Sequence, residues 1–268
     1  MIAPPKGPSV NLPLIRRLVQ LVDLSPEEVT VLEGLQSNTR LIRRNREIVT
    51  QGRRYDALFV MIDGISIRYR VLRDGRRQIL NIALPGDFIG FPACFFEHAL
   101  YPISALTDVV IAPISFAVLI NLFERHPHLA AAIFWSFSSE AAIYSERLTD
   151  IGRRTALERI AHFLIELLIR FQIIGLADEC SFPMPLTQEL LGDALSLSLP
   201  HVNRTLRRLR EDGLASIEAH HVIIRDIEAL SALGDFEKSY LSRFRMPDLF
   251  ALSTTAAYPD SRPGPIAS

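Results

Sequence analysis

The sequence predicts an α+β protein that consists of a jelly-roll-like antiparallel β-barrel, one long helix and a winged helix-turn-helix. Short apolar segments separated by turn dipeptides fill residues 37–120, and an apolar heptad pattern follows in 121–151. Two adjoining amphipathic helices lie within 152–233. We expect an N-terminal tail and helices in 1–36, and a C-terminal helix and disordered tail in 234–268.

Composition indicates a globular protein with more than one domain. The chain has 268 residues, of which 49% are hydrophobic and 22% charged, and this length allows two separate cores. A net charge of −1 argues against nucleic-acid binding along the whole surface but allows one local basic face. Cys94 and Cys180 are too few for a disulfide framework and indicate a reducing compartment. No apolar run approaches ~20 residues and the N-terminus lacks an export signal, so we expect a cytoplasmic protein without membrane contact.

The N-terminal half changes from helical to strand periodicity. Ser25 is expected to cap a helix that begins at Pro26. From Thr39 onward, dipeptides that suit a positive φ separate short strands: Gln51-Gly52, Asp63-Gly64, Asp74-Gly75 and Pro85-Gly86. The predicted strands are Glu47–Thr50, Ala57–Ile62, Ile65–Val71, Gln78–Ala83 and Val109–Pro113. This spacing predicts an antiparallel barrel, which the segment Gly86–Phe96 interrupts.

One long helix is predicted from about His128 to Ile151. Its apolar residues recur at steps of three and four, which is typical of a helix that pairs with a second copy. The predicted dimer seam consists of Phe134, Phe137, Ala141, Tyr144, Leu148 and Ile151. Packing of this helix on its own barrel is the alternative. Gly152 is the predicted hinge before the next domain.

Residues 185–214 predict two helices joined by a tight turn. Thr187 is expected to cap the first helix and Ser198 the second, with Pro200 in the first turn of the second helix. On the second helix an apolar stripe at i, i+4 and i+7 lies opposite a polar, arginine-rich face. That pattern is typical of a DNA recognition helix, and a merely solvated arginine face is the alternative. The strands Leu214–Ile217 and Val222–Ile224 indicate a wing, and Ala229–Leu241 one more helix.

The run from Gly152 to about Leu233, which contains the motif HVNRTL, resembles the winged-helix DNA-binding domain of the Crp/Fnr family of transcription regulators. Gly52, Gly64 and the motif GDFIG similarly resemble the family's cyclic-nucleotide-binding sensor barrel. The resemblance implies a homodimer that binds a palindromic promoter site on double-stranded DNA and contacts RNA polymerase. It assigns base reading to Arg204, whereas Leu199 and Pro200 stand where cyclic-AMP receptor proteins carry Arg and Glu. The predicted DNA-binding residues are Thr187, Ser198, Leu199, Pro200, His201, Asn203, Arg204, Arg207 and Arg208.

The resemblance also locates a candidate effector pocket. Its predicted residues are Gly86, Asp87, Phe88, Ile89, Gly90, Phe91, Cys94 and Phe95. Cyclic-AMP-binding members place a Glu for the ribose where this chain has Phe91, and residues 86–107 hold no Lys or Arg for the phosphate. We therefore expect a signal other than cyclic AMP, either an unknown small molecule or none at all. With no cysteine before Cys94, a family-type iron–sulfur cluster is excluded within one chain, and no cofactor or metal is expected.

These observations predict a DNA-binding transcription regulator. A sensor whose helix-turn-helix mediates protein contacts is the alternative. No nucleophile elbow, metal-binding H-E-x-x-H motif, phosphate loop or dinucleotide fingerprint occurs in the sequence, so an enzyme is not expected.

Overall fold

Two short helices precede the barrel, and the second begins where the sequence predicts it. The computed structural model describes residues 12–20 and 22–241, and the predicted disordered tail lies outside this range. The Ser25 hydroxyl accepts a hydrogen bond from the N–H of Glu28, whose carboxylate accepts one from the N–H of Ser25. This reciprocal capping box fixes the start of the helix at Pro26.

The described residues alternate between short strands and helices. The helices are α1 (Pro13–Leu18), α2 (Pro26–Leu35), α3 (Phe91–Phe95), α4 (Phe116–Arg125), α5 (Pro127–Gly152), α6 (Ala156–Ile173), α7 (Gln188–Leu195), α8 (Leu199–Glu211) and α9 (Ile227–Leu233). The strands are β1 (Arg40–Ile42), β2 (Glu47–Val49), β3 (Ala57–Asp63), β4 (Ser66–Val71), β5 (Arg77–Ala83), β6 (Phe88–Ile89), β7 (Ile103–Ala105), β8 (Val109–Ser115), β9 (Ser181–Pro183), β10 (Ala215–Glu218) and β11 (His221–Ile224).

The first eight strands form two four-stranded antiparallel sheets, in the orders β1-β8-β3-β6 and β2-β7-β4-β5. The predicted barrel class is therefore confirmed. Strands β1, β6 and β7, of two or three residues each, are not among the predicted strands. The turn glycine Gly64 has φ +80°, and a Cβ there would lie 2.2 Å from the carbonyl oxygen of Asp108. The turn at Gly64 and the segment at Asp108 lie so close together that a side chain on Gly64 cannot be accommodated.

Buried apolar side chains join the barrel to the helices on both sides of it. One cluster packs α1, α2, α4 and α5 against the barrel, and a second fills the barrel interior. A third cluster begins on β4 and β5, with Ile67 and Ile79, and continues through Phe163 and Leu164 of α6 into the helix-turn-helix. The helix-turn-helix therefore rests directly on the barrel as well as following it in the chain.

Buried ion pairs cross the same boundary. Asp87, in the turn before β6, pairs with Arg17 of α1 and with Arg170 of α6, the latter at 3.0 Å. Glu166 of α6 is fully buried and pairs with Arg147 of α5 at 2.9 Å and with Arg170 at 3.4 Å. Arg170 also donates to the carbonyl oxygen of Ile82 at 2.7 Å. These contacts, which we call the interdomain ion network, connect α1, the barrel, α5 and α6.

The chain after the wing departs from its predicted form. Instead of one helix over Ala229–Leu241, α9 ends at Leu233 and a separate 3-10 turn covers Lys238–Leu241. Asp235 between them has φ +47°, and a Cβ on Gly234 would lie 2.6 Å from the backbone nitrogen of His162. The close approach to α6 and the left-handed residue break the helix. Across the described ranges, no helix combines the length and the apolar character needed to cross a bilayer.

Candidate nucleic-acid interface

The predicted helix-turn-helix forms from α7 and α8. Thr187 accepts a hydrogen bond from the N–H of Leu190 at 3.2 Å, so its predicted role as a cap is confirmed. Ser196 ends α7 in the left-handed conformation, and α8 begins at Leu199. The two helices are thus joined by a turn of three residues, which brings them into direct contact.

Gly192 allows the turn to lie close against α7. A Cβ on this residue would be 2.6 Å from the carbonyl oxygen of Leu197 and 3.7 Å from the side chain of Val202. Because the first of these atoms belongs to the backbone, the turn and not only a side chain would have to shift.

The substitution Gly192→Ala is expected to lower the free energy of unfolding by roughly 1–3 kcal/mol, since it overpacks this contact. The matched control is Gly34→Ala in the exposed face of α2, where a Cβ meets nothing within 4 Å. That change is expected to be neutral or to stabilise by roughly 0.4–1 kcal/mol. Urea denaturation of both variants measures the difference. Equal stability of the two variants would contradict the close contact.

Helix α8 separates an inner from an outer face as predicted. Val202 and Leu209 are fully buried on the inner face. The nine predicted DNA-binding residues are all exposed: Thr187, Ser198, Leu199, Pro200, His201, Asn203, Arg204, Arg207 and Arg208. Among the arginines, Arg208 forms an exposed ion pair with Asp212 at 3.5 Å. The outer face therefore presents a concentration of positive charge next to the exposed N-terminus of the helix.

The N-terminus of α8 differs from the prediction in one contact. Ser198 stands at the N-cap position, but its side chain makes no cap hydrogen bond within the described residues. Pro200 occupies the second helical position and removes one of the two N–H groups that such a cap uses. The expected capping role of Ser198 is therefore wrong.

The predicted wing is present and larger than expected. Strands β10 and β11 pair in antiparallel register, and Ala219 and His220 form their two-residue turn with φ values of +46° and +62°. Strand β9 adds a third strand beside β11. Its three residues carry no recognisable pattern in the sequence.

Strand β5 of the barrel holds the turn of the helix-turn-helix, which the sequence does not reveal. Arg77 donates to Asp193 of α7 at 2.7 Å. Gln78 accepts a hydrogen bond from the Ser196 hydroxyl at 2.7 Å and donates to the carbonyl oxygen of Ala194 at 3.3 Å. The barrel thus contacts the element that orients α8.

The predicted effector pocket is filled by side chains of the protein. The ring centroid of Phe91 lies 3.9 Å from that of Phe137, and Phe88 lies 5.6 Å from Phe137. The cavity lined by Phe88, Ile89, Gly90 and Phe91 holds only about 10 Å³. That volume matches about one water molecule.

The other predicted pocket residues lie away from this cavity or have other roles. Gly86 forms a turn with φ +89°, and Asp87 belongs to the interdomain ion network. Phe95 is 52% exposed. Cys94 is half-buried, and burial raises the pKa of its thiol, which lowers the fraction of reactive thiolate.

The predicted seam divides between two sides of α5. Phe134 and Leu148 are 73% and 72% exposed, and Ala141 is exposed on the same outward side, while Ile151 is exposed near the end of the helix. Phe137 instead packs against the barrel, and Tyr144 donates to Glu140 at 2.6 Å.

The predicted hinge lies at the end of α5, where Gly152 is the last helical residue and is exposed. Just beside it, Arg154 pairs with Asp150 and with Glu146, each at 2.9 Å. His162 of α6 is fully buried next to these carboxylates, and its burial lowers its pKa although Asp150 opposes the shift. Burial therefore favours the neutral form of this imidazole at the joint.

Comparison with known proteins agrees with both halves of the structure. Residues 39–126 match the cyclic nucleotide-binding domain, and residues 158–233 match the Crp-like helix-turn-helix domain. The nitrogen fixation regulation protein FixK of Azorhizobium caulinodans is 30% identical over 192 residues, or 71% of this chain and 76% of that protein. The transcriptional activator protein FnrL of Cereibacter sphaeroides is 28% identical over 208 residues, or 76% of this chain and 83% of FnrL.

A solved structure shows the same architecture. FixK2 from Bradyrhizobium japonicum superposes with a TM-score of 0.66 at 25% identity, covering 73% of this chain and 96% of FixK2. The two matched domains, their order along the chain and the similarity to these regulators are consistent with the exposed basic face of α8. The chain belongs to the Crp/Fnr family of transcription regulators, whose members bind DNA through the helix-turn-helix, and it is a regulator rather than an enzyme.

Proposed function

We propose that the protein binds a palindromic promoter site as a homodimer and reads each half-site with α8. The exposed arginine-rich face of α8 carries this proposal, because it is the surface that meets base edges in a recognition helix. Arg204, near the centre of that face, is assigned to guanine, whose O6 and N7 it can contact with two hydrogen bonds. His201 and Asn203 flank it and are assigned to neighbouring bases.

The remaining residues of the interface are assigned to the phosphate backbone. Arg207, Arg208, Ser198 and Thr187 position the helix without reading sequence. Because Ser198 leaves the first-turn N–H groups of α8 uncapped, these groups support an additional phosphate contact. Leu199 and Pro200 offer apolar contact at the same end, so the target sequence is expected to differ from that of cyclic-AMP receptor proteins.

The proposed regulation runs from the barrel to α8. We propose that a signal other than cyclic AMP biases α5 and the joint at Gly152, and that RNA polymerase is the downstream partner. The contacts of Arg77 and Gln78 with α7 support a direct route for this coupling. The protein is expected to act in the cytoplasm, where a bacterial regulator meets its promoter.

Selection of bound fragments from random and genomic DNA tests the proposal, at about 150 mM salt because affinity depends steeply on ionic strength. The expected result is a palindrome with half-sites one helical turn apart, ~34 Å. Arg204→Ala is expected to cost about 1–3 kcal/mol and to relax the preference at one base pair in each half-site. Selected fragments without a common sequence would contradict sequence-specific binding.

Arg207→Ala is the matched control, since it removes an equal charge from the same helix face. It is expected to weaken binding to all sequences and to reduce the salt slope by about 1. If Arg204→Ala behaves in the same way, Arg204 is a phosphate contact instead. If neither variant changes DNA binding, the helix-turn-helix serves protein contacts.

A further inference from the structure

A buried carboxylate enters the barrel from α5. One oxygen of Glu140 accepts hydrogen bonds from Arg68 of β4 at 2.7 Å, from Asn81 of β5 at 2.7 Å and from Tyr144 of α5 at 2.6 Å. Arg68 and Asn81 are direct partners across the β4–β5 pair, so their side chains lie on the same face of the sheet. The sheet thus offers two neighbouring donors, Arg68 and Asn81, and helix α5 supplies the carboxylate that accepts from both.

This anion site is enclosed. The side chains of Arg68 and Glu140 are only 13% and 20% exposed. Glu140 lines two cavities, one shared with Phe88 and Phe91 and the other with Phe88 and Phe137. Each of these two cavities holds about 10 Å³, so no organic effector fits while Glu140 is in place.

The donors suit a carboxylate oxygen in kind. A guanidinium and an amide N–H₂ that converge on one oxygen form a site for a carboxylate, and Tyr144 adds a third donor to the same oxygen. The ring of Tyr144 also lies 5.2 Å from the guanidinium of Arg68, which helps to hold the cation in position. Without Glu140, this arrangement would leave a buried positive charge with an empty space in front of it.

We propose that Glu140 is a built-in ligand of the sensor barrel, a carboxylate that occupies the barrel's own anion site and seats α5 without a small molecule. The regulatory meaning of the site rests on the proposed function. The chemistry of the site does not, because it concerns only the contact between α5 and the barrel. Its consequence is that a small external carboxylate binds there once the Glu140 side chain is removed.

Rescue of Glu140→Ala by formate tests this consequence. Thermal unfolding of the full chain is followed by circular dichroism in about 0.2 M sodium formate and in sodium chloride of the same concentration, so that both salts screen charges equally, with a Debye length of about 7 Å. Formate is expected to raise the Tm of Glu140→Ala by roughly 2–4 °C relative to chloride, since it binds only the folded state. If the variant is unfolded in chloride, recovery of helical signal in formate is the corresponding result.

Two controls separate the site from general salt effects. Glu140→Gln fills the same space without the charge, so its Tm is expected to be equal in both salts, as is that of the wild type. The double variant Arg68→Met, Glu140→Ala removes the cation that would hold formate and is expected to lose the rescue. Equal Tm values of Glu140→Ala in formate and chloride overturn the proposal, as does an equal formate shift in all four proteins.

A DNA-binding arm keeps this proposal distinct from the proposed function. Wild-type protein, purified without added small molecules, is expected to bind its selected palindrome, and Glu140→Ala is expected to gain affinity when formate replaces chloride. Formate rescue of Tm without any DNA binding would support the anion site and contradict the proposed function. DNA binding without formate rescue would support the proposed function and contradict the anion site.

Discussion

Replacing Arg170 with methionine is expected to lower the free energy of unfolding by about 3–5 kcal/mol, because it leaves buried charges without their partner. Asp87 and Glu166 both lose an ion pair, and the carbonyl oxygen of Ile82 loses its donor. Glu166 is fully buried and, among the residues that the structure describes, retains its ion pair with Arg147. Chemical denaturation, with the slope m checked for a change in compactness, measures the loss.

An exposed arginine provides the matched control for this variant. Arg125→Met changes the same residue type in the last turn of α4 and is expected to stay within about 0.5 kcal/mol of the wild type. The double variant Asp87→Asn, Arg170→Met is expected to lose less than the sum of the single changes, since both members of one pair are neutralised together. A loss below about 0.5 kcal/mol for Arg170→Met would show that the interdomain ion network contributes no stability.

The interdomain ion network also links the elements of the proposed regulatory route. It connects the barrel turn at Asp87 with α6, the first helix of the DNA-binding region, through Arg170. A change in the position of α5 moves Arg147, which shares Glu166 with Arg170. The barrel, α5 and α6 are therefore coupled by charges that tolerate few alternative arrangements.

Features that depend on neighbours in the chain could be predicted from the sequence. The caps at Ser25 and Thr187, the positive φ of Gly52, Gly64, Gly75 and Gly86, and the two faces of α8 all follow from residue types at fixed short spacing. The barrel class followed from the number and spacing of these turns. Ser198 occupies the predicted N-cap position, but its side chain makes no cap hydrogen bond.

Contacts between distant residues could not be predicted in this way. Asp87 and Arg170 are 83 positions apart, and Asn81 and Glu140 are 59 apart, so no periodicity links either pair. Arg170 lies in a helix that is buried on nearly all sides, and the sequence alone gives no reason to bury a charge there. Its partner on the barrel supplies that reason.

The long helix shows a third kind of difference. Apolar residues lie on two adjoining sides of α5, and a seam with steps of three and four can be drawn through either side. The sequence therefore placed Phe137 and Tyr144 in one seam with Phe134 and Leu148. Phe137 contacts Phe91, and Tyr144 contacts Glu140, so these two side chains face the barrel. Phe134, Ala141 and Leu148, which we call the outward stripe of α5, remain exposed for another partner.

The substitution Leu148→Asp is expected to convert the proposed homodimer into a monomer. Leu148 is 72% exposed in the single chain and lies seven residues after Ala141 and fourteen after Phe134, which share its side of α5. Burying a leucine side chain stabilises by about 1.5–3 kcal/mol, and a dimer contains two copies, so the loss is roughly 3–6 kcal/mol. Dimer dissociation constants are then expected to rise by at least about 100-fold.

Sedimentation equilibrium at micromolar concentration measures this change, and a gel-shift titration on the selected palindrome gives the functional counterpart. Leu176→Asp is the matched control, because this leucine is 46% exposed in the turn after α6 and away from the outward stripe of α5. It is expected to leave the dimer intact. A Leu148→Asp protein that sediments as a dimer would place the interface elsewhere.

The same variant also separates the packing of α5 on the barrel from the role of α5 in the proposed dimer. Because Leu148 points away from the barrel, its replacement leaves the contacts of Glu140, Phe137 and Arg147 in place, and the Tm of the monomer unit is expected to change little. Binding to the full palindrome is expected to fall steeply, since two half-sites are no longer held one helical turn apart. Binding to a single half-site is expected to persist weakly, which would show that α8 recognises DNA by itself and that dimerisation supplies the affinity.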